Sequence, residues 1–88
     1  MLVRFHFVHV DRSEAFENHI YDRLQKIERF ELNPMGIEVE ISGEPGHAQI
    51  EIIATEGRRK YRASGEADDF YRASDMAVNK LVRQLSKE

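Results

Sequence analysis

The sequence predicts a two-layer α+β fold: a four-stranded sheet with both helices packed on one of its faces, in the order β-α-β-β-β-α. Three observations lead there. Four short stretches alternate apolar and polar residues, so each has one apolar face. Two longer stretches repeat apolar residues at spacings of three and four, so each has one apolar stripe. One-sided strands and one-sided helices bury their apolar surface only against each other, which puts the helices in one layer and the sheet in the other.

Residues 2–8 alternate, with Val3, Phe5 and Phe7 on one face and Arg4 and His6 on the other, the pattern of a half-buried strand. Asp11-Arg12-Ser13 follows, and Ser13 is placed to cap a helix whose first turn holds Glu14 and Glu17, favourable toward the helix dipole. Phe16, Ile20, Leu24, Ile27 and Phe30 predict a helix of about five turns, closed by Asn33-Pro34. Ile37, Val39 and Ile41 point inward and Glu38, Glu40 and Ser42 outward on a second strand, and Gly43-Glu44-Pro45-Gly46 has the chemistry of a turn. Ala48, Ile50, Ile52 and Ala54 alternate with Gln49, Glu51 and Ile53 on a third strand, antiparallel to the second.

The chain turns again around Gly57, and Tyr61, Ala63 and Gly65 supply the inner face of a fourth strand whose outer face carries Lys60, Arg62 and Ser64. The last helix starts at Asp68-Asp69, where carboxylates suit the cap and first turn. It buries Phe70, Ser74, Ala77, Val78, Leu81 and Leu85 and runs to the end of the chain. A helical crossover makes the first two strands parallel neighbours, and the hairpin-linked strands are antiparallel. The open sheet face then bears Arg4, His6, Glu38, Glu40, Glu51, Lys60 and Arg62.

Eighty-eight residues make one domain, 1–88. The absence of cysteine removes disulfides, thiolate metal sites and a thiol nucleophile. The N-terminus alternates instead of running apolar, so it is not a signal peptide, and no stretch approaches the roughly 20 apolar residues of a membrane span. The expectation is a soluble cytoplasmic protein with no membrane partner. A net charge of −3 argues against nucleic acid when averaged over the surface, but a binding footprint is local, so the placement of the 13 Lys and Arg residues decides.

At about 100° per residue, Lys80, Arg83 and Lys87 share one flank of the last helix, with Arg72 and Met76 beside them. Asp69 is the only acid on that side, and Asp75 points away from it. On the first helix Arg23, Lys26 and Arg29 advance by threes across one flank, joined by His19 and interrupted by Asp22. Arg23 falls close to the apolar stripe, so its stem packs while its head reaches water. Glu14, Glu17 and Glu28 gather on the opposite flank. One charged stripe is what any solvated helix shows; two basic rows on neighbouring helices could straddle phosphates.

Three passages carry a resemblance: Ala67-Asp68-Asp69-Phe70-Tyr71, Asn79-Lys80-Leu81-Val82-Arg83-Gln84-Leu85-Ser86-Lys87, and Asp22-Arg23-Leu24-Gln25-Lys26-Ile27-Glu28. The acidic pair before an aromatic-Tyr and the Lys-Leu-x-Arg-Gln-Leu-x-Lys helix resemble the bacterial ribosome hibernation-promoting factors and ribosome-associated translation inhibitors, also known as sigma-54 modulation proteins. Asn33-Pro34 and Glu44-Pro45 fit as well, and the resemblance spans nearly the whole chain. It implies a protein that accumulates when growth slows, docks in the decoding region of the small ribosomal subunit over the tRNA and mRNA positions, and silences the ribosome. By the same resemblance Arg23, Lys26, Arg29, Lys80, Arg83 and Lys87 contact rRNA phosphates, with recognition following RNA shape more than sequence. It implies no enzyme activity, no cofactor, no small-molecule substrate, and a monomer off the ribosome.

The chain ends at Glu88 without a basic tail or further domain, so it looks like a short form; whether such a form promotes or opposes ribosome pairing is left open. Arg58-Arg59-Lys60 with Arg62 replaces more neutral residues of the family, and either extends the binding surface or balances nearby glutamates. Glu38, Glu40, Glu44 and Glu51 keep the open sheet face away from RNA or turn it toward a protein; the alternative function is a protein-interaction module using that face. No metal site is expected, because His6 and His9 point to opposite faces and His19 and His47 lie elsewhere. Asp68-Asp69 reads as a helix cap, not an acid–base pair, Gly43-x-x-Gly46 and Gly57 as turns, and Phe70-Tyr71 as core and core margin.

Overall fold

A computed structural model describes residues 2–30 and 36–86, with the backbone alone at positions 29 and 30. Among the described residues the elements are β1 (Val3–Phe7), α1 (Glu14–Leu24), a 3-10 segment (Gln25–Phe30), β2 (Gly36–Glu44), β3 (His47–Glu56), β4 (Arg59–Ala67) and α2 (Phe70–Ser86). The sheet order is β1-β2-β3-β4, with β1 parallel to β2 and the other pairs antiparallel. This is the predicted α+β architecture. Pro45-Gly46 closes the β2–β3 hairpin, with Gly46 at φ 79°, the left-handed conformation that the second residue of a Pro-Gly turn requires.

The strand register lines the inner face up in rows. Phe5, Val39, Ile52 and Ala63 are successive partners across the sheet, as are Phe7, Ile41, Ile50 and Gly65. In both rows the smallest side chain is on β4, Ala63 in one and Gly65 in the other, and β4 is where α2 sits. Its facing residues are small too: Ala73, Ser74 and Ala77 are buried, and the Ser74 hydroxyl donates to the Tyr71 carbonyl at 2.8 Å. At Gly65 a Cβ would collide with the Ala73 carbonyl oxygen and stand 2.9 Å from Ala77 N and 3.0 Å from Met76 Cβ. Glycine there permits the close seating of helix on strand. Val78, Leu81 and Leu85 then join Phe16, Ile20, Leu24 and Ile27 over the isoleucine rows of β2 and β3.

Both helix starts follow the predicted chemistry. The Phe16 amide donates to Ser13 Oγ at 3.2 Å, and the Arg72 amide donates to the Asp69 carboxylate at 2.9 Å. The first helix departs from expectation. The α-helix ends at Leu24, and residues 25–30 form a 3-10 segment where a continuous helix was predicted. The spacing admits this: Leu24, Ile27 and Phe30 repeat every three residues, a helix of three residues per turn keeps such positions in line, and the packing of Ile27 in the core selects it. Leu24 and Ile27 are both fully buried. The predicted closure at Asn33-Pro34 lies outside the described residues.

Substituting Gly65→Ala is expected to cost about 3 kcal/mol through overpacking. Gly36→Ala, where a Cβ meets nothing within 4 Å, is expected to stay within about 0.5 kcal/mol. Urea unfolding of the two variants checks the contrast.

Candidate nucleic-acid interface

The buried stripe of α2 dictates what its other sides present. With Ser74, Ala77, Val78, Leu81 and Leu85 turned inward, Lys80 and Arg83 stand exposed. Met76, Lys80 and Gln84 form one row at intervals of four. This row borders β4: Met76 lies against Gly65, and the Gln84 amide donates to the Arg62 carbonyl. Lys80, one turn from each, therefore sits along the β4 edge, and Arg83 lies on the side away from the sheet. Arg72, grouped with this flank by sequence, is at the far end of the helix and pairs with Asp68 at 3.3 Å.

On the other flank α2 meets α1. His19 Nε2 lies 3.1 Å from Asp75 Oδ1, and Arg23 Nε lies 3.5 Å from the same oxygen, an ion pair too long for a hydrogen bond. The Tyr71 ring stands edge-on to His19 and to Phe16, with centroids 4.9 and 5.3 Å apart. Asp75 is thus a clasp between the helices. It points away from Lys80 and Arg83, as expected, but onto the basic flank of α1. The Arg23 side chain is about half exposed overall with its Nε buried, and its charge is partly neutralised by Asp75, while Lys26, on the 3-10 segment, is exposed. Arg23, Lys26, Asp75, Val78 and Asn79 line a shallow cleft of about 110 Å³ between the helices.

Of the six residues singled out by sequence, Arg23 and Lys26 are brought together on this cleft, and Lys80 and Arg83 occupy the exposed side of α2. Position 29 follows Lys26 by one 3-10 turn, which stacks the two positions on one side of the segment. Lys87 lies outside the described residues. Sequence reasoning missed Asn79 and the His19–Asp75–Arg23 cluster. The available signal was a pair of four-residue spacings, His19 with Arg23 and Tyr71 with Asp75, on flanks that turn out to face each other.

Other charged groups are engaged elsewhere. Arg12 hydrogen-bonds Glu17 at 2.7 Å, and that bond together with the charge of Glu17 raises the guanidinium pKa above its ordinary value. On the open sheet face Glu40 and Glu51 are direct cross-strand partners, while His6 lies 3.6 Å from Glu38 and Arg62 lies 3.7 Å from Glu51. Among the described residues no group of three or more His, Asp or Glu is placed to hold a metal ion, and no helix is long and apolar enough to cross a membrane.

Because Asp75 and Arg23 are both about half exposed, a double-mutant cycle of Asp75→Asn with Arg23→Gln is expected to give a stability coupling of only about 0.5 kcal/mol. Urea unfolding of the single and double variants measures it.

The fold is shared with solved structures. A ribosomal subunit interface protein from Coxiella burnetii superposes with a TM-score of 0.83 at 22% identity, over 99% of this chain and 96% of that one. The N-terminal domain of Thermus thermophilus Protein Y superposes with a TM-score of 0.88 at 21% identity, over 99% and 98% of the two chains. At these identities the likeness speaks for the fold. Residues 3–88 match the family described as Sigma 54 modulation protein / S30EA ribosomal protein, the family that the helix motifs resemble, and the chain belongs to it.

Proposed function

We propose that this protein is a ribosome-associated hibernation factor that binds the small ribosomal subunit in its decoding region and inhibits translation during slow growth or stress. Family membership supports the ribosome as partner. The observation that carries the mode of binding is the state of the basic side chains. Lys26, Lys80 and Arg83 are exposed and, among the described residues, have no carboxylate partner. Lys26 lines the interhelical cleft, and Lys80 and Arg83 stand on the exposed side of α2, positions open to the phosphates of a folded RNA.

Each such contact releases counterions and adds sequence-independent affinity, so a protein with these rows recognises RNA by shape and backbone. Arg23, Arg29 and Lys87 complete the six positions. Docking of this kind uses residues 1–88 as one binding unit in the cytoplasm, as a monomer off the ribosome, and needs no reacting group, cofactor or metal.

A second reading rests on the direct opposition of Glu40 and Glu51, an unfavourable like-charge pair that a cationic protein partner would relieve. The two readings part experimentally. On the RNA reading, changing Lys80, Arg83 and Lys87 to Ala leaves the fold intact and abolishes co-sedimentation with small subunits. Affinity of the unmodified protein should also fall roughly a thousandfold between 50 and 200 mM salt, as about six phosphate contacts require. Binding that survives the triple change but is lost on neutralising Glu38, Glu40 and Glu51 would establish the protein-interaction reading in its place.

A further inference from the structure

The basic residues outside the two helices are not scattered. Arg58 is exposed at the tip of the β3–β4 hairpin, and Lys60 and Arg62 are exposed on the outer face of β4, two residues and about 7 Å apart. Arg59 differs from them, since it faces Glu56 in the strand register.

The direction of α2 brings these residues to the helix rows. α2 runs antiparallel to β4: its first half covers Gly65, and Gln84 near its end reaches the Arg62 carbonyl. A backbone carbonyl that accepts from a helix side chain is turned away from β3, so Arg62 lies on the free edge of the sheet. On the helix side of this edge is Lys80, between Met76 and Gln84; on the strand side are Arg62 and Lys60. The outer surface of α2 and the outer face of β4 therefore meet at one edge, and both sides of that edge are cationic.

We infer that Arg58, Lys60 and Arg62 form a second phosphate-binding face, continuous with Lys80 and Arg83 around the β4 edge, so that RNA contacts wrap from the helices onto the sheet. This rests on the ribosome-binding reading and extends its surface beyond the helix flanks. Two observations favour an RNA backbone as occupant. The surface continues the exposed Lys80 and Arg83 of α2 around the β4 edge, where Lys60 and Arg62 stand opposite the uncharged Thr55 and Ile53 of β3. Among the described residues the acids nearest to it are Glu56, opposite Arg59 in the register, and Glu51, which pairs with Arg62 at 3.7 Å with side chains 41% and 63% exposed. An exposed pair of that length holds its partners weakly, and a phosphate displaces it at little cost.

Arg62 also gives the sheet face a polarity. The Glu38, Glu40 and Glu51 centre repels a polyanion, so the RNA path is confined to the margin occupied by Lys60 and Arg62. The wrap ends where the acidic centre begins.

The test is equilibrium binding of the full chain to purified small subunits across a salt series, comparing the unmodified protein, Arg58→Gln/Lys60→Gln/Arg62→Gln, and Arg58→Gln/Lys60→Gln, which leaves the Arg62–Glu51 pair in place. Circular dichroism and urea unfolding establish that each is folded. The triple variant is expected to bind about ten- to a hundredfold more weakly at low salt, with the slope of log affinity on log salt shallower by two to three. The double variant should show about two-thirds of that slope change. Arg12→Gln, at the start of α1 and engaged by Glu17, should change neither quantity.

An unchanged slope and affinity in folded triple variant overturns the wrapped surface and leaves the helix site standing. Weaker binding with an unchanged slope means the hairpin touches ribosomal protein instead of phosphate, and also overturns it. Absence of salt-dependent binding by the unmodified protein defeats both this inference and the reading beneath it.

Discussion

The seating of α2 on β4 at Gly65 is the contact on which the remaining geometry depends. A helix lies this close to a strand only if neither surface carries bulk, and Gly65, Ala63, Ala73, Ser74 and Ala77 meet that condition together. With the helix fixed by its small-residue side, its larger residues Val78, Leu81 and Leu85 are directed toward the isoleucine rows of β2 and β3 and toward α1. The rotation of α2 about its own axis then has no freedom left. Every polar residue on it is assigned a side by that packing.

Three sides follow. Asp75 and Asn79 face α1, where Asp75 gathers His19 and Arg23. Lys80 and Gln84 border the β4 edge, and Arg83 takes the outward side. Acid groups concentrate at the other end of the molecule, where Asp68 holds Arg72, Asp69 caps α2, and Glu14 and Glu17 hold Arg12. A chain with a net charge of −3 can thus present a local cationic surface, because many of its described acids are paired, as Glu17, Asp68 and Asp75 are, cap a helix, as Asp69 does, or sit in the centre of the open sheet face, as Glu40 does. Burial organises the charge.

The strands and α2 were legible in the sequence because each has a clean period. Ile37, Val39 and Ile41 alternate without exception, and the α2 stripe recurs at three and four. The first helix was harder. A spacing of three from Leu24 onward is compatible with an α-helix drifting across its face and with a 3-10 helix held in line, and only the tertiary packing of Ile27 decides between them. The basic positions could be assigned to flanks, since a helical wheel gives direction around one axis. It does not say which neighbour lies in that direction. That is why Asp75 was correctly turned from Lys80 yet its pairing with Arg23 was missed, and why the adjacency of Arg62 to the α2 row emerges only from the Gln84 contact. The motif resemblance to the hibernation factors, in turn, pointed to the family that residues 3–88 match.

The central claim is that the cationic sides of the two helices, held in place by this packing, dock on the small ribosomal subunit. Sedimentation of an extract from slowly growing source cells through a low-salt sucrose gradient tests it most directly. The account predicts the protein in the peaks that contain small subunits, and its release to the top of the gradient when the salt is raised. Recovery of the protein at the top in low salt, or in the large-subunit peak alone, would contradict it.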